Sequence, residues 1–102
     1  MHHQLEAFTT DIQPHLSPDN RIAAYIGWHY SVFLDRPVYS LFFAKARAGG
    51  TAGVEALIDK YSIDTILMAD FNPNDQDLAP YFTKHYRIDQ RLPTGILVRA
   101  RH

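Results

Sequence analysis

Short apolar runs of strand character alternate with stretches of helical period along most of this chain, and few folds accommodate that order. Arg21–Gly27 (RIAAYIG) is apolar in its middle and ends on glycine, which reads as a buried strand. Pro37–Phe43 (PVYSLFF) is β-branched and aromatic, with Pro37 at the first position, where a strand tolerates proline. Ile63–Ala69 (IDTILMA) is the third such run. Ahead of them, Leu5, Phe8 and Ile12 recur at helical spacing in a helix that must stop by Pro14, and Ser17–Asn20 is a turn cluster. Trp28–Asp35 (WHYSVFLD) supplies a helical turn or two before Arg36-Pro37 breaks it. Ala44–Gly53 is a loop or frayed helix start. Thr51 is placed to cap the helix whose stripe is Val54, Leu57, Ile58 and Tyr61.

After the third strand, Asp70–Asp77 (DFNPNDQD) reads as a polar loop, with Asp77 capping a short helix through His85. Tyr86–Leu92 and Gly95–Arg101 read as a β-hairpin around Pro93-Thr94. Strands that alternate with helices imply right-handed crossovers and a parallel sheet covered on both faces. The expected fold is α/β: a three-layer, Rossmann-like, mostly parallel sheet of about five strands with a C-terminal antiparallel hairpin. It is expected to form a single domain over residues 1–102. The expected core holds Ile22, Ala24, Ile26, Val38, Leu41, Leu57, Ile58, Ile66, Leu67, Ile96 and Val98.

Composition narrows the function classes. A chain of 102 residues can bury roughly two-thirds of its unfolded surface, so it needs no metal or disulfide staple. The net charge of −1 leaves no basic excess to hold a phosphate backbone, which sets nucleic acid aside. The absence of cysteine removes disulfides, thiolate nucleophiles and cysteine zinc sites. No apolar run approaches the roughly 20 residues that span a bilayer. Met1–Gln4 lacks the basic and apolar regions of a signal peptide, and His2 and His3, native or a tag remnant, carry no functional weight.

Open α/β sheets bind ligands in the loops beyond the carboxyl ends of their parallel strands. Those loops hold Trp28, His29 and Tyr30 after the first strand, and Lys45, Arg47, Gly49 and Gly50 after the second. Asp70, Asn72, Asn74 and Asp75 follow the third. Trp28, His29, Tyr30, Arg47 and Asp70 form the candidate ligand face, since aromatic area with directional polar groups suits a sugar. Packing of Trp28 and Tyr30 over the sheet end explains the same residues equally well. The opposite edge is expected to receive the turn before Arg21, the Ser62 junction and parts of the hairpin, Thr94 among them.

Other patterns fail at defining positions. Gly49–Gly53 could present amides to a phosphate, but its spacing is neither a Walker loop nor a dinucleotide fingerprint, and it reads as flexible entry into a helix. Asp70–Asp75 alternates oxygen ligands, yet Asp75 stands where a calcium loop needs glycine and Tyr81 where it needs glutamate. Asx-turn chemistry describes it better. His15, His29 and His85 share no metal spacing, and neither Ser31 nor Ser40 lies in a nucleophile elbow. Asp35-Arg36 reads as a structural ion pair or turn anchor. No catalytic residue, metal site or cofactor follows from these residues.

Four stretches together resemble a known family: Arg21–Gly27, Tyr30–Val38 (YSVFLDRPV), Ala56–Met68 (ALIDKYSIDTILM) and Tyr86–Arg99 (YRIDQRLPTGILVR). They are similar to the soluble C-terminal region of multi-spanning membrane glycosyltransferases related to the dolichyl-phosphate-mannose–protein mannosyltransferases and the lipid A sugar transferases. The shared pattern is a strand, an aromatic turn ending in Arg-Pro, a helix leading into a strand, and a closing hairpin. The resemblance implies a domain excised from a larger membrane protein, standing on the extracytoplasmic side, with the transmembrane portion of the parent chain as partner. It implies a non-catalytic accessory role, with contact to acceptor or lipid-linked sugar. The parent's catalytic acidic residues would lie among membrane helices, so none carries over to this chain. A free-standing binder of saccharide or phosphosugar, and a protein-interaction module pairing through an edge strand, are the alternatives.

Overall fold

The computed structural model describes residues 2–42, 51–70 and 73–99, with side chains described over 4–42, 52–70 and 78–99. In chain order the elements are α1 (His2–Ile12) with a 3-10 turn (Gln13–His15), β1 (Ile22–Ala24), α2 (Gly27–Leu34) and β2 (Val38–Ser40). There follow α3 (Thr51–Tyr61), β3 (Thr65–Ala69), α4 (Pro73–His85), β4 (Arg87–Leu92) and β5 (Gly95–Arg99). The fold is α/β, with a five-stranded mixed sheet in the order β2-β1-β3-β5-β4. β1 pairs parallel with both β2 and β3, while β5 pairs antiparallel with β3 and with β4. The parallel character is therefore confined to one half of the sheet. The hairpin does not merely close the edge, because β5 stands inside the sheet beside β3.

Successive strand residues point to opposite faces, and the buried residues divide accordingly. Ala23, Ile66, Met68 and Val98 pack with Val54 and Ile58 of α3 and Leu78 and Phe82 of α4. Ile22, Ala24, Leu67, Ala69 and Leu97 pack with Phe8 and Ile12 of α1 and Tyr30 and Leu34 of α2. Of the expected core, Ile26, Val38, Leu57 and Ile96 are only partly buried and sit at the margins of these clusters. Among the described residues, no helix is long and apolar enough to cross a membrane.

Several boundaries differ from expectation: β3 starts at Thr65 and β4 at Arg87, and α3 already includes Thr51–Gly53. The first two strands are three residues each, because the chain turns at Tyr25 and Ile26 after Ala24. Bonding between them continues past their ends, Leu41 N donating to Ala24 O at 2.9 Å and Phe42 N to Tyr25 O at 3.0 Å. Gly27 does not end a strand; it opens α2, pressed so closely on β2 that a Cβ there would lie 2.5 Å from Val38 O. A helix also begins at Pro73, four residues before the expected cap at Asp77, since proline lacks only an amide that the first turn leaves unpaired. The Asx turn expected over Asp70–Asp75 was to lead into a helix; that helix already includes Pro73–Asp75, while Phe71 and Asn72 lie outside the described residues. The side chains of Thr51 and Asp77, expected as caps, and residues Phe43, Arg101 and the Ala44–Gly50 part of the expected loop lie outside the described residues.

On the α3–α4 face the Tyr81 ring lies 4.7 Å from His85 and 5.2 Å from Phe82. Burial pushes the Tyr81 phenol well above the ordinary tyrosine range, with Tyr86 and Glu55 adding to the effect. The Tyr86 phenol is raised too, chiefly by burial.

Two outcomes are expected. Ile58→Ala should cost about 2–5 kcal/mol in denaturant unfolding, as a fully buried truncation. Leu57→Ala, half out of the core, should cost clearly less, and equal losses would mean that the helix face is misassigned. The tyrosines hold their protons more tightly folded than unfolded, so their contribution is complete below the unfolded value and declines above ~pH 10. The urea midpoint should thus be level from ~pH 7 to ~pH 9 and fall by ~pH 11, and Tyr81→Phe should shrink that fall.

Candidate functional site

The parallel strands deliver Tyr25, Leu41 and Asp70 to one edge, the carboxyl edge. α2 starts there, and Trp28 is 47% exposed with its ring 5.9 Å from His29 and 6.3 Å from Phe42, both edge to face. His29 is exposed as well. Tyr30 is different. Two residues on, roughly 200° around the helix, it turns inward, 4% exposed and edge to face with Phe8 at 5.9 Å. Asp70 is exposed on the same edge, its amide donating to Thr94 O at 2.9 Å. Arg47 lies outside the described residues, as do Lys45, Gly49, Gly50 and Asn72 and the side chains of Asn74 and Asp75. The structure thus brings Trp28 and His29 together, places Asp70 beside the hairpin turn, and assigns Tyr30 to the core.

That turn requires a correction. Because β5 runs antiparallel to β3, with Ala69 opposite Gly95, Pro93 and Thr94 stand on the carboxyl edge and not opposite it. Gly95 is the only residue type that fits there: a Cβ would collide with Met68 O and approach the Phe8 ring to 2.8 Å. Thr94 Oγ1 in turn donates to Asp11 Oδ2 at 3.1 Å. A shallow depression lined by Glu6, Ala7, Thr10 and Asp11 is the outer side of α1.

The amino edge holds a polar network that the sequence did not reveal. Asp64 Oδ1 accepts from Arg21 N at 3.2 Å, Asn20 Nδ2 at 3.2 Å and Thr65 Oγ1 at 2.7 Å. Arg99 donates to His15 O at 2.8 Å, to Asn20 Oδ1 at 3.3 Å and to Thr65 Oγ1, and its Nε lies 3.5 Å from Asp89 Oδ2. Asp89 is the extra residue of a β-bulge between Ile88 and Gln90. Bulges re-aim side chains, and this carboxylate reaches Arg99. Arg36 ties down the Ser17–Asn20 turn by donating to the carbonyls of Ser17, Pro18 and Asn20 at 3.0, 3.2 and 2.7 Å. Of the two roles expected for Asp35-Arg36, this is the turn anchor. Asp35 itself sits at φ 53°, the left-handed position that closes α2.

Charges that converge here are spent on the chain's own carbonyls and side chains, so the amino edge is a fastening. Among the described residues, no three of His, Asp and Glu converge where they could hold a metal ion. Arg99→Leu would leave the buried Thr65 hydroxyl and the His15 carbonyl short of a donor and should cost about 1–3 kcal/mol. A loss under ~0.5 kcal/mol in urea unfolding would show that water replaces the guanidinium freely.

Comparison with protein-family models, with curated proteins and with solved structures finds no match for this chain.

Proposed function

We propose that this chain is a non-catalytic accessory domain of an integral membrane glycosyltransferase-like protein, standing on the extracytoplasmic side and partnered by the parent's transmembrane portion. Its frame in this reading is a small Rossmann-like domain of three layers, whose outer half is replaced by antiparallel strands. The observation that carries the reading is where the four resembling stretches fall. They coincide with β1, with α2 running into β2, with α3 running into β3, and with the β4–β5 hairpin. Within them, the Arg-Pro pair has a structural task in Arg36, and Asp64 is the acceptor that joins Asn20 and Arg21 to β3.

The contact to glycan, whether acceptor or lipid-linked sugar, is assigned to the carboxyl edge. Trp28 offers apolar ring area to sugar C–H groups, with His29 and Asp70 as polar neighbours. A free-standing saccharide or phosphosugar binder would use the same edge and is favoured by the same exposed tryptophan.

Two measurements separate these readings. An antibody against the chain should detect, in fractionated source cells, a membrane-embedded polypeptide several times longer, cleavable by protease added from outside. A soluble species of the 102-residue size would overturn the accessory reading and leave the free binder. Trp28 is the sole tryptophan, so short oligosaccharides or sugar phosphates at the edge should change its fluorescence and the amide shifts of His29, Asp70 and Thr94. No change at millimolar ligand would remove glycan contact from either reading.

A further inference from the structure

The two edges of the sheet differ in how they treat a neighbouring strand. β4 carries Arg87, Asp89 and Arg91 and a bulge, the devices that discourage strand addition. β2 is Val38-Tyr39-Ser40, without charge, and among the described residues no strand pairs with its outer side. α2 lies against β2 at Gly27, and its sequence, GWHYSVFL, carries no Asp, Glu, Lys or Arg. With Gly27, Tyr30 and Leu34 buried, the outward face is apolar apart from His29 and Ser31: Val32 is 78% exposed, and Phe33 and Phe42 are each 37% exposed. Trp28 and Val32, one turn apart, form a stripe, and Phe42 joins it from the end of β2 through the Trp28 ring.

We propose that this uncharged edge and stripe form the interface of a homodimer, in which β2 of a second copy adds antiparallel to β2 and the two α2 faces meet across a twofold axis. Three considerations favour a second copy of this chain. An antiparallel pair of identical strands is its own mate under a twofold axis, so one patch supplies both halves of the interface. A face without Asp, Glu, Lys or Arg buries against itself without desolvating a permanently charged side chain. Its size also suffices. If aromatic side chains carry 150–250 Å² each, the exposed parts of Trp28, Val32, Phe33 and Phe42 amount to roughly 400 Å² per copy. Two copies give roughly 800 Å², and the strand edge with Pro37 and Tyr39 brings the total to about the 1,200 Å² at which stable interfaces begin.

Sedimentation velocity of the whole chain over a concentration series tests this. A concentration-dependent dimer is expected, and Val32→Lys should weaken it on the order of tenfold or more by placing an unpaired charge in the interface. Arg91→Ala, on the other edge, should leave it unchanged. Amide exchange over residues 38–40 should slow as the dimer forms, which helix packing alone would not produce. Val32→Ser serves if circular dichroism shows that the lysine variant is misfolded. A monomer through the millimolar range, or a dimer indifferent to both Val32 variants, would overturn the proposal. Val32-dependent co-sedimentation of a monomer with phosphatidylcholine vesicles would also overturn it and assign the stripe to lipid.

Discussion

Everything in this structure depends on the burial of β3 on both faces at once. All five residues, Thr65–Ala69, are buried, and the strand is paired on both sides, to β1 and to β5. A strand so placed cannot have a polar face, so Ile66 and Met68 need cover on one side and Leu67 and Ala69 on the other. The helices that follow β1 and β2 in the chain supply it, α2 on one face and α3 on the other. Thr65 is the exception in this apolar run. Its hydroxyl donates to Asp64 and accepts from Arg99, since an unsatisfied hydroxyl at that depth would cost about 1–3 kcal/mol.

The satisfaction of one buried hydroxyl thereby organises a whole edge. Arg99 reaches Thr65 from the end of β5 and, in the same side chain, fixes His15 and Asn20 beyond α1. Arg36 fixes the same turn from the far side of β1. Residues distant in sequence thus hold the amino edge closed, while the carboxyl edge keeps Trp28, His29 and Asp70 exposed. A rigid fastening opposite an exposed, chemically varied edge is the arrangement in which binding residues gain position without destabilising the scaffold.

Local pattern made β3, the Val54–Ile58 stripe and the Pro93-Thr94 hairpin legible, because each is specified by neighbours in the chain. What local pattern could not convey depends on pairing at a distance. Whether Thr94 stands beside Asp70 or opposite it is decided by β5 joining β3, and no residue near Thr94 encodes that choice. Gly27 reads equally as a strand terminator or a helix start until β2 is known to press against it. Phe8 and Phe82 are fully buried because α1 and α4 cover opposite faces of the sheet, which helical period alone does not convey. Nothing near Asp89 in the chain announces the bulge that aims it at Arg99.

α2 remains the element whose composition exceeds its task. A surface helix ordinarily keeps a charged or polar face towards solvent, and α2 offers only His29 and Ser31 for it. Here one side is filled by Tyr30 and Leu34 against the core, and the other carries Trp28, Val32 and Phe33 outward. Folding alone does not require an apolar side chain at a position as exposed as Val32, where a surface substitution costs little. Departures from such local rules concentrate at functional surfaces. The same eight residues open the carboxyl edge at Trp28 and flank the uncharged strand β2, so the proposed glycan contact and the proposed pairing of two copies draw on one helix. If both act, a second copy would set the distance between two Trp28 rings, and ligand and dimer would compete for, or share, the aromatic stripe.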